Sequence, residues 1–152
     1  MRHVEDVVGQ FDAVLCWWQS FGYFDEVTNL DVLRQLGTKL GGGGRLLLDI
    51  YQRRYWSDNQ GQTEVQRSGV WVHVENRMTG NRLTSQLRYG NGAAPDEFEW
   101  QLYDLEEIAS AAESIGLRLI LACSECDANA LVTSESSSMQ LVFEKARNST
   151  TL

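Results

Sequence analysis

A chain of 152 residues with 43% hydrophobic and 22% charged residues is long enough for one globular core and too short for two ordinary domains. Its formal charge of -8 repels phosphate backbones, so a nucleic acid is not an expected partner. No apolar run reaches the length of a membrane span, no signal-peptide core follows Arg2, and three cysteines cannot all pair within the chain. A membrane is therefore not expected as a partner, and the expected compartment is the reducing cytoplasm.

The first strong signal is at residues 9–24, GQFDAVLCWWQSFGYF. Residues 11–17 predict a short buried strand, apolar and bounded by glycine and glutamine on one side and a polar loop on the other. The loop at 17–24 carries five aromatic rings in eight residues. Loops lie on the surface, so that much aromatic area either caps the core or lines a ligand crevice at the carboxyl end of the strand.

Thr28 with Asp31 has the form of a capping box and predicts a helix start there. Leu30, Leu33, Leu36, Gly37 and Leu40 fall together on one face of that helix. Four glycines, Gly41 to Gly44, close it. They follow a helix and precede a strand, the reverse of a phosphate-cradling loop, and so predict a turn. Residues 45–50, RLLLDI, then read as a buried strand ending in a carboxylate, Asp49. Strand, loop, helix, turn and strand make a β-α-β unit with parallel strands and a site at their carboxyl ends.

After this strand come Tyr51, Arg53, Arg54, Tyr55 and Trp56. Two guanidiniums among three rings suit either a clamp for an anionic or planar ligand or a solvated basic loop. Residues 57–68 are polar and predict loop. Residues 69–75 alternate strictly, valines on one face and Trp71, His73 and Glu75 on the other, and pair with residues 83–89 as an antiparallel hairpin. Residues 97–103 alternate again, with Glu97, Glu99 and Gln101 expected on the solvent side. Asp104 and Glu107 form a second capping box, opening a helix that Gly116 ends. Residues 117–123 and 139–144 are the closing strands, and 147–152 are expected as a disordered tail.

Weaker chemical signals do not build a site. Cys123 and Cys126 have the spacing of half a zinc site, but no second pair completes it, so no metal is expected. His73 sits in an alternating strand, where a surface or packing role is the usual one.

The order FDAVLCWWQSFGYF, then LGTKLGGGGRLLLDIYQRRYW, then YDLEEIASAAESIGL and SSMQLVFEKA, resembles the C-terminal part of class I S-adenosylmethionine-dependent methyltransferases. The resemblance spans residues 1–146. It implies an α/β fold, a truncated Rossmann-like methyltransferase sheet: a parallel β-α-β unit, an antiparallel insert at 69–103 and an antiparallel last strand. It also implies S-adenosylmethionine as cofactor, with Met1, Cys16, Trp17, Trp18, Ser20 and Phe21 lining its pocket. A small-molecule substrate would face Tyr23, Asp49, Tyr51, Arg53, Arg54 and Trp56. The family's glycine-rich G-x-G loop and ribose-binding acid have no counterpart here, so impaired cofactor binding is expected of the chain alone. A first strand without its usual neighbour would be an open edge, inviting a second copy or another partner, and a non-catalytic association protein is the alternative reading.

Overall fold

The computed structural model describes residues 3–147. Met1, placed at the cofactor by the resemblance, and the expected tail from residue 148 onward lie outside the described residues.

A short 3-10 turn, Val4–Asp6, leads to β1 (Phe11–Cys16), α1 (Glu26–Thr38), β2 (Leu40–Tyr51) and α2 (Arg53–Asp58). Four strands follow: β3 (Gly61–Arg67), β4 (Val70–Thr79), β5 (Arg82–Tyr89) and β6 (Asp96–Gln101). Helix α3 (Leu105–Ser114), β7 (Leu117–Cys123) and β8 (Ser138–Lys145) complete the order. One sheet runs β1-β2-β8-β7 and the other β3-β4-β5-β6. Strands β1 and β2 are parallel, as a β-α-β unit requires, and β8 inserts antiparallel to both β2 and β7.

The core lies on one face of the first sheet. Leu46, Leu48 and Ile50 of β2 stand opposite Phe143, Leu141 and Met139 of β8, and all six are buried. Val32, Leu33 and Leu36 of α1 and Ile108 and Ala112 of α3 close over them. The opposite face carries Leu15, Leu47, Val142 and Leu121 in register across all four strands. There Leu15 is 65% exposed.

Six sequence expectations change. Strand β1 is exposed along most of its length rather than buried, because it has a neighbour on one side only. Helix α1 is capped by Asp25, whose carboxylate accepts from the Thr28 amide at 2.9 Å and the Thr28 hydroxyl at 2.8 Å. Asp31 is instead drawn to Arg34 and Gln35, and Leu30 turns outward as Val32 takes its place in the core. The four glycines belong to β2 rather than to a turn. Phe11 pairs with Leu40 but Ala13 pairs with Arg45, so the extra β2 residues bulge out between these points. Gly43 adopts φ +81°, and a Cβ on Gly44 would lie 2.9 Å from the Phe11 carbonyl oxygen. At Gly44 the bulge admits no side chain.

The other three changes concern polar residues. Residues 53–58 are helical, begun by Gln52, whose side chain accepts from the Tyr55 amide. Residues 61–67 form an edge strand, polar on both faces and exposed, so the antiparallel unit starts eight residues earlier than expected at 69. Gln101, expected on the solvent side, is buried because its amide donates to the Gly22 carbonyl at 2.6 Å. The capping box at Asp104 forms as read, its amide donating to the Glu107 carboxylate at 3.0 Å.

Candidate functional site

Residues 17–24 leave the carboxyl end of β1 and join the two sheets. Gly22 accepts from Gln101, the Trp100 indole N–H donates to the Gln19 carbonyl at 3.1 Å, and Arg82 donates to the Phe24 carbonyl at 3.0 Å. A Cβ on Gly22 would sit 2.7 Å from the Gln101 oxygen, so only glycine lets the strands meet.

Within the loop, Trp18 and Gln19 take φ of 57° and 48°. This left-handed region is unfavourable for bulky residues and is held only where the surroundings over-determine it. They do so here. Asp49, 4% exposed on β2, accepts from the Trp18 amide at 3.0 Å and the Gln19 side-chain amide at 2.8 Å. Its other oxygen accepts from Gln140 at 2.8 Å. Ser20 closes the turn by donating its hydroxyl to the Trp17 carbonyl at 2.6 Å. The Trp18 ring itself is 79% exposed.

The predicted site residues divide into those brought to one surface and those committed elsewhere. Tyr23 and Tyr51 meet across Trp100, with ring centroids 5.3 and 5.2 Å from it, and Trp56 packs edge-on to Tyr51 at 5.3 Å. Burial pushes the Tyr51 phenol above its ordinary pKa. Trp17 and Trp18, which open the same loop as Tyr23, stand exposed. Cys16 is buried beneath, its thiol 3.5 Å from the Ser20 hydroxyl and pushed up in pKa by burial. Phe21 faces the core, 5.9 Å from the Tyr103 ring. It caps the core rather than lining a crevice.

The arginines do not join the rings. Arg53 pairs with Asp104 and, at 2.9 Å, with Glu107. Burial opposes its charge, but the hydrogen bonds to both carboxylates outweigh that and raise its pKa. Arg54 lines a separate hollow with Gln52, Asp104 and Glu106. Neither Arg53 nor Arg54 therefore places its charge on the rings. Asp49 is engaged as a carboxylate in the protein's own hydrogen bonds.

Three participants escape sequence reading: Gln19, Trp100 and Gln140. Only Trp100 leaves a trace, as the apolar member of the alternation at 97–103. Gln19 and Gln140 are recognisable only through partners distant in the chain. A concavity of about 510 Å3 elsewhere, lined by Glu64, His73, Glu75 and Arg88 on the antiparallel sheet, is polar, with the His73 Nδ1 2.8 Å from the Glu64 carboxylate. Among the described residues, no three His, Cys, Asp or Glu side chains gather as metal ligands, and no helix is long and apolar enough to cross a membrane.

No family model and no curated protein sequence matches the chain. Solved structures do. An S-adenosylmethionine-dependent methyltransferase from Clostridium acetobutylicum aligns over 92% of this chain and 60% of its own, with TM-score 0.80 and 17% identity. The CcbJ methyltransferase from Streptomyces caelestis aligns over 91% of this chain and 58% of its own, with TM-score 0.78 and 14% identity. CalS10, an amino pentose methyltransferase from Micromonospora echinaspora solved with S-adenosylmethionine bound, aligns over 93% of this chain and 61% of its own, with TM-score 0.61 and 16% identity. The chain spans about 60% of the length of these structures. Its two sheets and their helices make up part of the Rossmann-like class I methyltransferase fold.

Proposed function

We propose that the chain is part of an S-adenosylmethionine-dependent methyltransferase acting on a small molecule. The observation that carries this reading is the aromatic turn held at the carboxyl ends of β1 and β2, where open α/β sheets bind ligands, within a fold whose structural neighbours are such enzymes.

S-adenosylmethionine supplies an electrophilic methyl group on a sulfonium. The residues here fit the apolar and cationic parts of that molecule: Trp17 and Trp18 offer faces for a planar base or a sulfonium. They fit its ribose poorly, because the hydrogen bonds of Asp49 are already taken by Trp18, Gln19 and Gln140. Among the described residues no glycine-rich turn leads from a strand into a helix. The chain on its own therefore binds the cofactor weakly. On the acceptor side, Tyr23, Tyr51, Trp56 and Trp100 favour a neutral or amine-bearing substrate over an anion, since Arg53 is neutralised by Asp104 and Glu107. The amino pentose methyltransferase among the neighbours supports an amine acceptor. Transfer then depends on orientation more than on any acid or base.

Titration calorimetry with S-adenosylhomocysteine tests the reading. Measurable binding is expected, weakened roughly tenfold by Trp18→Ala, as loss of one stacking face implies. Absence of binding at millimolar ligand would refute it.

A second reading rests on the open edge of β1, where Phe11 is 41% exposed and Leu15 stands beside it. We infer that this edge pairs with a second copy of the chain or another protein. Three free cysteines support a reducing, cytoplasmic setting for either role.

A further inference from the structure

The most unusual local arrangement in the molecule joins a strained turn to a buried polar pair. Asp49 and Gln140 are cross-strand neighbours on β2 and β8, and they project from the face opposite the hydrophobic core. Both are buried, at 4% and 5% exposure. Burying a carboxylate and an amide away from water is costly unless every lone pair and N–H finds a partner. Here the partners form one continuous chain. The Cys126 amide donates to the Gln140 oxygen at 3.0 Å, the Gln140 N–H group donates to Asp49 at 2.8 Å, and Asp49 accepts from Trp18 and Gln19. Gln19 passes the chain on, its carbonyl accepting from Trp100.

The far end of this chain is the pair of left-handed residues, Trp18 and Gln19. Relaxing their backbone would release strain, yet the ring that it carries gains nothing from the protein, since Trp18 is 79% exposed. This network supports the junction of the two sheets through Gln19 and Trp100, but the exposed Trp18 ring adds no burial to that junction. A ligand gains a preorganised ring.

We propose that Asp49 and Gln140 are positioning residues, a buried clamp that locks the left-handed Trp18–Gln19 turn and so presents the Trp18 ring to ligand. Asp49 is thereby assigned to holding the loop, not to contacting substrate. The presentation of the ring rests on the functional reading above; the clamp itself does not.

The polarity of the network provides the test. Asp49→Asn replaces one of the two acceptor oxygens by a donor, which opposes the N–H group of Gln140, whereas Asp49→Ala removes both acceptors from the network. Pairing Asp49→Asn with Gln140→Glu restores every bond, because the carboxylate introduced at position 140 accepts both from the amide introduced at position 49 and from the Cys126 backbone N–H. The full chain is labelled with 5-fluorotryptophan, and the Trp18 resonance is assigned by its loss in Trp18→Phe. In Asp49→Ala the Trp18 fluorine signal is expected to move toward that of free 5-fluorotryptophan, and exchange of the Trp18 amide is expected to rise at least about tenfold, with a smaller change in Asp49→Asn. D49N/Q140E returns both to wild type. Gln19→Met, which removes one partner from a partly exposed position, gives a smaller change in the same direction.

An unmoved Trp18 signal in Asp49→Ala, or a double variant no closer to wild type than Asp49→Asn, overturns the clamp. If either Asp49 variant does not fold, the double variant and Gln19→Met decide by the same criteria. All these readings are made without ligand, so they stand apart from the functional reading. Titration of the same proteins with S-adenosylhomocysteine then separates the two. A wild type that does not bind sinks the functional reading alone, while equal affinity in a variant whose Trp18 has moved overturns the presentation of that ring.

Discussion

Tyr103 sits just past the end of β6, 5% exposed and packed against Phe21, and burial pushes its phenol up to about 12. An unfolded tyrosine titrates near 10, so between these values the native state keeps a proton that the unfolded state has released. Stability is therefore full below about pH 10 and falls as pH rises toward 12, by roughly 2–3 kcal/mol in all. Urea midpoints at stepped pH are expected to decline across this window in the wild type and less steeply in Tyr103→Phe. Equal slopes would exclude the buried phenol as their source. At this scale the sequence was partly legible. Trp17, Trp18 and Tyr23 stand exposed in the loop, whereas Cys16 and Phe21, in the same run, are buried in the core. Nothing in FGYF distinguishes a ring that caps from a ring that is presented. The left-handed backbone at Trp18 and Gln19 makes that choice, and Asp49, some thirty residues away, holds it.

Among the elements, β2 departs furthest from its sequence. Gly41 to Gly44 read as a turn because glycine runs usually are turns, yet here they let β2 bulge while keeping its pairing with β1. Gly44 is the position without room: a Cβ would meet the carbonyl oxygens of Phe11 and Gly41, each at 2.9 Å. At Gly41 the nearest atom is 3.9 Å away and φ is ordinary. Gly44→Ala is thus expected to cost about 1–3 kcal/mol, as overpacking does, whereas Gly41→Ala stays within about 1 kcal/mol. Hydrogen exchange should quicken across β1 in Gly44→Ala and remain unchanged in β7. Uniform loosening of both strands would contradict a local clash. Strand β3 was illegible for another reason. Its residues are polar on both faces, so no hydrophobic alternation marks it, and its pairing with β4 rests on backbone hydrogen bonds. Helix α3 was legible because its cap, its buried stripe and its terminal Gly116 all agree.

For the molecule as a whole, the open edge of β1 and the apolar row from Leu15 to Leu121 have a common consequence. A free parallel edge next to exposed apolar side chains favours association. Light scattering coupled to size exclusion is expected to show a dimer or larger species at micromolar concentration, shifted to monomer by Leu15→Lys on the exposed face. A monomeric wild type would remove the basis for the association reading. What the amino-acid order determined by itself was local: a parallel β-α-β unit with an aromatic loop after its first strand, an antiparallel hairpin with a third strand, and two capped helices. Periodicity and capping residues act over a few positions, so they are written in neighbouring letters. What the tertiary structure alone decided was how these parts share partners. It joined the sheets through Gly22 and Gln101, drew Arg53 away to Asp104 and Glu107, and set Asp49 beneath the loop. Each of these is a pairing of polar groups distant in sequence, and the energy that selects it arises only once the chain has brought them out of water together.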